Sequence, residues 1–212
     1  MKFHKDMLRL YAVTGRRWTG RKTLYEQIEA ALKGGVTMVQ LREKHLDEAA
    51  LIAEALPIKE LCHRYHVPLI INDYAEVALK IGADGVHVGI EDPSVREIRR
   101  NAPKDFIIGA TAKTVEQARA AEAAGADYLG VGAVFPSPTK ENAIRITTAQ
   151  LKEICSAVSI PAVAIGGVCL DNLSGLKGGG MAGIAVVSAI FAAEDIQDAA
   201  AALRKKAEAL VE

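Results

Sequence analysis

Short apolar segments rich in β-branched residues recur along the whole chain and predict eight β-strands. Both faces of these segments are apolar, which is typical of strands that are buried on both sides in a parallel sheet covered by helices. The predicted strands cover residues 8–13, 36–41, 67–71, 85–88, 106–108, 128–131, 162–165 and 183–187.

Segments rich in Ala, Glu, Lys and Leu separate the strands and have helical spacing. They include residues 23–33, 47–65, 115–124, 148–158 and 196–210. Alternation of strand and helix over eight units favours closure into a (β/α)8 TIM barrel, an α/β fold with a single domain over residues 1–212. An open, doubly wound sheet is less well supported, because residues 14–18 after the first strand lack the G-x-G-x-x-G spacing.

A weak internal repeat supports the barrel. The triplets G-V-T at 35–37, G-A-D at 82–84 and G-A-D at 125–127 each precede an apolar segment, and so does the glycine-rich stretch 180–183. Glycine at such a place suits the left-handed C-cap of a helix that leads into the next strand.

Composition limits the possible partners. Lysine and arginine balance aspartate and glutamate at 26 residues each, so no overall field would attract nucleic acid or an anionic membrane. Any anion-binding site must therefore be local. The 212 residues, 50% of them hydrophobic, suffice for one substantial core and one domain.

The cysteines and the amino-terminal segment bear on the cellular compartment. Cys62, Cys155 and Cys169 lie far apart and form no C-x-x-C pair, which argues against a disulfide framework or a thiolate zinc site. Residues 1–9 are polar and charged, and no apolar run approaches the ~20 residues of a membrane span. We therefore expect a cytoplasmic protein with reduced cysteines and no membrane or nucleic-acid partner.

The clearest chemical signal follows the second strand, since the loops after the strands carry the chemistry of parallel barrels. Gln40, Arg42 and Lys44 alternate along the chain, so their side chains project the same way in an extended backbone. They share the parity of Val36 and Met38, which is expected to point inward. Two cations and an amide suit a phosphate or diphosphate. The alternative is that both cations are solvated loop residues.

Acidic residues follow the third and fourth strands, where Asp73 comes after Asn72 and Asp92 comes after Glu91. Neighbouring strands place both acids on one rim, and Mg²⁺ commonly takes one or two carboxylates together with phosphate and water. The alternative is helix capping: Asp92-Pro93 has the pattern of an N-cap followed by proline, and Asp73 could cap a helix that starts at residue 74.

The loop of residues 135–143 after the sixth strand is long for a connection in a compact domain. It carries Ser137, Thr139 and Lys140 between prolines, and such loops often bind ligands or act as lids. The alternative is a surface turn with a solvated lysine.

Two further strand ends predict a phosphate site. Gly166-Gly167 follows the seventh strand and Val187-Ser188 ends the eighth, an arrangement typical of barrels whose backbone N–H groups meet an anion. A tight turn alone would also explain the glycines. Thr111 after the fifth strand adds a hydroxyl to the same rim, or else starts a helix.

The histidines and the common catalytic motifs provide no further candidate for a catalytic group. His87 on the fourth strand is interpreted as a core histidine with satisfied hydrogen bonds rather than as a catalytic base. No H-E-x-x-H, G-x-S-x-G or Walker A pattern occurs, so zinc hydrolysis, serine hydrolysis and P-loop chemistry are unsupported.

Seven motifs, taken in order, resemble those of thiamine phosphate synthases, and the resemblance extends from residue 10 to residue 191. Its most specific part is the combination of Q-L-R-E-K and F-P-S-P-T-K at matching strand ends. The motifs are Q-L-R-E-K at 40–44, N-D at 72–73, G-V-H-V-G-x-E-D at 85–92, G-A-D-Y at 125–128, F-P-S-P-T-K at 135–140, A-I-G-G at 164–167 and V-V-S-A-I at 186–190.

The resemblance implies a Mg²⁺-assisted transferase with two small phosphorylated substrates, a pyrimidine diphosphate and a thiazole phosphate, which are joined with release of pyrophosphate. In the family the diphosphate leaves first, and the thiazole nitrogen captures the resulting pyrimidine-methyl cation. The residues implied for the pyrimidine diphosphate are Gln40, Leu41, Arg42, Glu43, Lys44, Asn72, Thr111, Ser137, Pro138, Thr139 and Lys140. Asp73 and Asp92 are implied for Mg²⁺, Gly167, Val187 and Ser188 for the thiazole phosphate, and Arg42, Lys44 and Lys140 as the catalytic cations.

Two alternatives share the barrel. A TenI-type thiazole tautomerase resembles the synthase least at the diphosphate and metal residues, and its histidine base aligns with Lys113. A non-catalytic binding protein of the thiamine pathway would hold a ligand without turnover, and the retained cations and aspartates argue against it.

Overall fold

The strands close into a barrel in chain order, β1 to β8, in a computed structural model that describes residues 2–20, 22–89, 94–136 and 144–211. Each strand pairs in parallel with the next, and β8 pairs with β1 through Leu10 and Ile184. The predicted (β/α)8 barrel is confirmed. The strands are β1 Leu10–Val13, β2 Met38–Leu41, β3 Leu69–Asn72, β4 Gly85–Val88, β5 Ile107–Ala112, β6 Tyr128–Gly132, β7 Ala162–Ile165 and β8 Gly183–Val186.

The helices surround the barrel, and a 3₁₀ turn, Leu173–Leu176, lies between β7 and β8. All five predicted helices are present with ends within two residues of the prediction, whereas α3, α4 and α7, with 6, 7 and 4 residues, are too short to show a helical period. Within the described ranges, none of the helices has the length and apolar character needed to cross a bilayer. The helices are α1 Leu24–Lys33, α2 Glu48–Arg64, α3 Ala75–Lys80, α4 Val95–Asn101, α5 Val115–Ala124, α6 Thr148–Ser156, α7 Ser188–Phe191 and α8 Ile196–Val211.

Two apolar layers flank the barrel wall. The interior cluster includes Tyr11, Met38 and Tyr128, whereas Val39 and Leu41 pack against the helices in the outer layer. This is the alternation expected of a strand, and it confirms the inward parity of Met38.

Several strand boundaries differ from the prediction; β3, for example, begins at Leu69 and not at Val67. Residues 5–8 form a 3₁₀ turn, so β1 begins two residues later than predicted. The inward orientation predicted for Val36 is wrong, because β2 begins only at Met38 and Val36 lies in the outer layer. Strand β5 continues to Ala112, because it pairs along this length with β4 and β6.

The glycine-led repeat has a structural role at the amino ends of the strands. Its third residue stands just before an even-numbered strand and accepts a hydrogen bond from the backbone N–H near the start of the preceding odd-numbered strand. The bonds are Leu10 N to Thr37 Oγ1 at 2.9 Å, Leu69 N to Asp84 Oδ2 at 2.9 Å and Ile108 N to Asp127 Oδ2 at 2.7 Å. Gly125 caps α5 in the left-handed region at φ 99°, as predicted.

Candidate active site

A cavity of about 580 Å³ opens at the carboxyl ends of the strands, which is a typical size for a small-molecule site. It is lined by residues from most of the strand ends, so the barrel topology brings together positions that are far apart in the chain. Nine of the predicted site residues line it: Gln40, Arg42, Lys44, Asn72, Asp73, Thr111, Gly167, Val187 and Ser188.

Two predicted residues do not direct their side chains into the cavity. Leu41 is fully buried in the outer apolar layer, and the side chain of Glu43, 4% exposed, accepts a hydrogen bond from Arg16 Nε at 2.5 Å. Strand alternation explains this, because both residues have the parity opposite to the cation-bearing positions. The other predicted residues lie outside the described part of the chain: Asp92, Ser137, Pro138, Thr139 and Lys140.

The end of β2 is fixed by the neighbouring strand. Thr14 donates its backbone N–H to the carbonyl of Gln40 at 2.9 Å, and its buried hydroxyl accepts from the backbone N–H of Arg42 at 2.9 Å. Arg42 is half-buried, and Lys44 is 49% exposed with its Nζ 3.9 Å from Asp73 Oδ2. Both cations are therefore held at the cavity on a defined backbone.

A third cation at the cavity was not among the predicted ligand residues. Lys113 lines the cavity from the loop after β5, and its backbone N–H donates to Gln117 Oε1 at 2.8 Å. The spacing of two residues from Thr111 is the same signal that identified Arg42 and Lys44, so alternation along β5 could have found it.

Asp73 reaches the cavity through an unusual backbone. Its φ of 65° lies in the left-handed region, which few residues other than glycine adopt, and such outliers often occur at functional sites. The capping alternative is wrong for Asp73, because helix α3 begins after Tyr74, which has no side-chain cap. Helix α4 is capped by Ser94, whose Oγ accepts from Glu97 N at 3.3 Å, and Asp92 lies outside the described residues.

Asn72, the last residue of β3, is 7% exposed and lines the cavity. Its Nδ2 is buried and has no hydrogen-bond partner among the described residues. Buried amide donors nearly always find an acceptor, so an oxygen of a bound ligand is a suitable partner.

A chain of hydrogen bonds lies beneath the cavity in the barrel interior. Gln40 Nε2 donates to Tyr11 Oη at 2.7 Å, and Tyr11 Oη lies 2.8 Å from Tyr128 Oη. His87 Nδ1 lies 3.1 Å from Tyr128 Oη, and its Nε2 lies 3.1 Å from Thr111 Oγ1. His87 is thus a hydrogen-bonded core histidine, as predicted, and it also lines the cavity. Burial raises the pKa of both phenols, so they stay neutral.

The loops after β7 and β8 form the opposite side of the cavity. Gly166 and Gly167 adopt φ of 93° and 67°, and a Cβ on Gly167 would lie 2.7 Å from the carbonyl oxygen of Phe135. Asn172 fixes this turn by donating Nδ2 to Gly167 O at 2.8 Å. Both the left-handed backbone and the close approach require glycine here. Ser188 brings a hydroxyl to the same side.

The described side chains include no group of three or more His, Cys, Asp or Glu that could hold a metal ion. Asp73 brings a carboxylate to the cavity, beside Lys44. A single aspartate with hard oxygen ligands suits Mg²⁺ when phosphate oxygens complete the coordination, so the residue present fits that ion.

Comparisons with known proteins identify the family. The thiamine monophosphate synthase family profile matches residues 10–190. Thiamine-phosphate synthase 2 of Streptococcus pneumoniae is 44% identical over 203 residues, 96% of this chain and 97% of that protein. The thiamine-phosphate synthase of Lacticaseibacillus paracasei is 46% identical over 204 residues, 96% of each chain. The structure of thiamine phosphate pyrophosphorylase from Pyrococcus furiosus has a TM-score of 0.90 at 37% identity, over 98% of this chain and 99% of that one. The chain is therefore an enzyme, a transferase, and it belongs to the thiamine monophosphate synthase family.

Proposed function

We propose that the protein condenses 4-amino-5-hydroxymethyl-2-methylpyrimidine diphosphate with 4-methyl-5-(2-hydroxyethyl)thiazole phosphate, or its carboxylate form, to give thiamine phosphate and pyrophosphate. Membership of the family supports the overall reaction. The observation that carries the proposal is the convergence of Gln40, Arg42, Lys44 and Asp73 from two neighbouring strands on one cavity.

The proposed reaction is dissociative. The bond between the pyrimidine methylene carbon and the diphosphate oxygen breaks, and its electron pair leaves with the oxygen. The lone pair of the thiazole nitrogen then forms the new C–N bond to the methylene cation. This sequence needs charge neutralisation at the leaving group rather than a strong base.

Arg42 and Lys44 are suited to that neutralisation. Arginine can hold two diphosphate oxygens with its planar guanidinium, and lysine adds a point charge on a flexible stem. The half-buried environment of Arg42 strengthens its attraction to an anion relative to bulk water. Lys140, outside the described residues, is the third proposed cation.

Mg²⁺ is the proposed metal, held by Asp73 and Asp92, and when bound it supplies positive charge to the diphosphate oxygens. Asp73 is held at the rim by its backbone, whose N–H donates to the carbonyl oxygen of His87 at 2.9 Å. Lys44 lies on the same side of the cavity, so the carboxylate and the cation can meet one diphosphate together.

The thiazole phosphate is proposed to bind opposite, at Gly167, Val187 and Ser188. The glycine backbone there lets an anion approach N–H groups closely, and Ser188 adds a hydroxyl donor. Two phosphorylated ligands would thus enter the mouth from opposite sides, with their reacting ends meeting near the barrel axis.

An assay of pyrophosphate release tests the proposal. The purified protein with both substrates and Mg²⁺ should release pyrophosphate, and omission of either substrate, or addition of EDTA, should abolish the release. Full activity in the presence of EDTA would contradict the role of the metal. Isomerisation of the thiazole ligand without any condensation would instead identify a tautomerase.

A further inference from the structure

The hydrogen-bonded chain beneath the cavity joins two residues that face the ligand. Gln40 on β2 and Thr111 on β5 line the cavity, whereas Tyr11 and Tyr128 between them are 1% and 0% exposed. Both phenols lie in the interior cluster below the cavity, so they act on a ligand through their neighbours.

The proton order along this chain follows from counting donors. Gln40 donates its amide N–H to Tyr11 Oη, so the single hydroxyl proton of Tyr11 is directed to Tyr128 Oη. Tyr128 then directs its own proton to His87 Nδ1. The ring proton of neutral His87 is left on Nε2, where it is donated to Thr111 Oγ1.

Burial ties this order to the orientation of Gln40. With the opposite proton order at the two phenols, the Tyr11 proton would face the amide NH₂ group of Gln40 and lose its acceptor unless the amide turned over. A buried donor without an acceptor costs about 1–3 kcal/mol. In the order set by Gln40, each of the four hydrogen bonds has one donor and one acceptor, and the hydroxyl proton of Thr111 remains available to the cavity.

The packing around the chain leaves its members little freedom. A Cβ at Gly109 would lie 2.5 Å from His87 Nδ1, and one at Gly130 would lie 3.0 Å from His87 Cε1. The rings of Tyr11 and Tyr128 meet edge to face with centroids 5.8 Å apart. The histidine and the phenols are therefore held in one arrangement.

We infer that Tyr11, Tyr128 and His87 are positioning residues that give the cavity a fixed polarity, with an acceptor at Gln40 Oε1 and a donor at the Thr111 hydroxyl. The site then selects a ring that presents an amino group to Gln40 and a ring nitrogen to Thr111. An oxo group in place of the amino group would bring its oxygen against Gln40 Oε1, so that two hydrogen-bond acceptors would face each other. That the ligand is an aminopyrimidine comes from the proposed function, and this part of the inference rests on it.

The tautomer of His87 in the ligand-free protein tests the proton order. In a two-bond ¹H–¹⁵N spectrum of the histidine-labelled protein, with His87 assigned by comparison with His87→Asn, we expect the Nε2–H tautomer. The Nδ1–H tautomer, or a rapidly exchanging mixture, would overturn the inference. This measurement needs no turnover, so it is decisive even if the proposed reaction is not observed.

Ligand discrimination tests the consequence. Tyr11→Phe removes the acceptor of the Gln40 amide, which can then turn over and present its NH₂ group to an oxo ring. Calorimetric titration with the aminopyrimidine diphosphate and its 4-oxo counterpart should show the preference for the amino ring falling at least about tenfold. A merely structural role would weaken both ligands equally and leave the preference unchanged, which would overturn the inference.

Two further variants complete the test. Tyr128→Phe interrupts the same series of hydrogen bonds one bond later, and it replaces Tyr11→Phe if that variant does not fold. Without the Tyr128 hydroxyl, the Tyr11 proton turns towards Gln40, and we expect the same loss of preference for the amino ring. Tyr25→Phe is the matched control, because its phenol accepts from Arg64 Nη2 at 2.6 Å on the protein surface. It should keep the wild-type preference.

Discussion

The interior of the barrel has no room for a side chain at Gly109. An added Cβ would lie 2.5 Å from His87 Nδ1 and closer still to the ring of Tyr128, and both neighbours are buried. The two rings could move only by shifting the hydrogen bond that they share, so this glycine is required by space rather than by backbone conformation.

Gly109→Ala is therefore expected to lower the free energy of unfolding by about 1–3 kcal/mol, the usual cost of overpacking a core. Urea unfolding followed by circular dichroism measures this change. Gly20→Ala is the control, since a Cβ there meets no atom within 4 Å, and it should alter stability little. Equal stability of the two variants would contradict the steric argument.

Lys44 allows a test of the cation-bearing end of β2. Removal of its charge by Lys44→Ala is expected to lower kcat/KM for pyrophosphate release by about a hundredfold, as for loss of one group that stabilises a leaving anion. Lys80→Ala is the matched control, because Lys80 is 64% exposed and pairs with Glu48 on the surface. Comparable losses in both variants would show a general charge effect instead.

Single residues also show how far the sequence could be interpreted. Alternation along β2 predicted which side chains reach the cavity, because period-two geometry is local. Tyr11 and Tyr128 gave no such signal, since both occur in apolar strands and stand 117 positions apart in the chain. Contacts of this kind depend on the register of distant strands, which one sequence does not encode locally.

At the scale of elements, the long helices were predicted well because each spans several turns and is rich in helix-forming residues. The short helices α3 and α4 were not predicted, and the capping role considered for Asp73 was wrong, because a six- or seven-residue helix offers too few positions to distinguish its first residue from a loop. The repeat before the even-numbered strands was recognised in the sequence by its glycines, but its structural role, accepting a backbone hydrogen bond, belongs to its third residue.

That third residue differs in the fourth repeat. Ala182 stands before β8 where Thr37, Asp84 and Asp127 stand before β2, β4 and β6, and its backbone N–H donates to Ala162 O at 2.8 Å as its counterparts do to their own partners. An alanine side chain cannot accept from the Ala162 amide. We expect that amide to exchange with solvent faster than the amides of Leu10, Leu69 and Ile108, as measured by native-state hydrogen exchange.

At the scale of the whole molecule, buried ionisable groups set the response to alkali. Burial raises the pKa of the Cys62 thiol to about 12 and that of Cys155 to about 11, against an ordinary 9.0. Above that ordinary value the unfolded chain loses thiol protons that the folded chain keeps. Stability falls with rising pH wherever the unfolded state binds fewer protons, so the protein should weaken in alkali.

Between about pH 8 and about pH 10.5, Cys62 alone should reduce the free energy of unfolding by about 2 kcal/mol, since one pKa unit corresponds to about 1.4 kcal/mol. Urea unfolding at a series of pH values measures this slope. Cys62→Ala changes the overall stability but should make the slope shallower by the same amount; an unchanged slope would exclude the thiol as its source.

The side chains before the even-numbered strands secure the amino ends of the barrel, whereas the ligand-facing groups occupy the carboxyl ends. Mutations can therefore accumulate at one end of the barrel with little effect on the other. Specificity for a different ligand ring could evolve through the loops at the carboxyl ends of the strands, while the hydrogen bonds that close the barrel are kept. The two tyrosines are the exception, since they lie between both ends. Adaptation to a ligand of opposite polarity would have to pass through the interior of the protein.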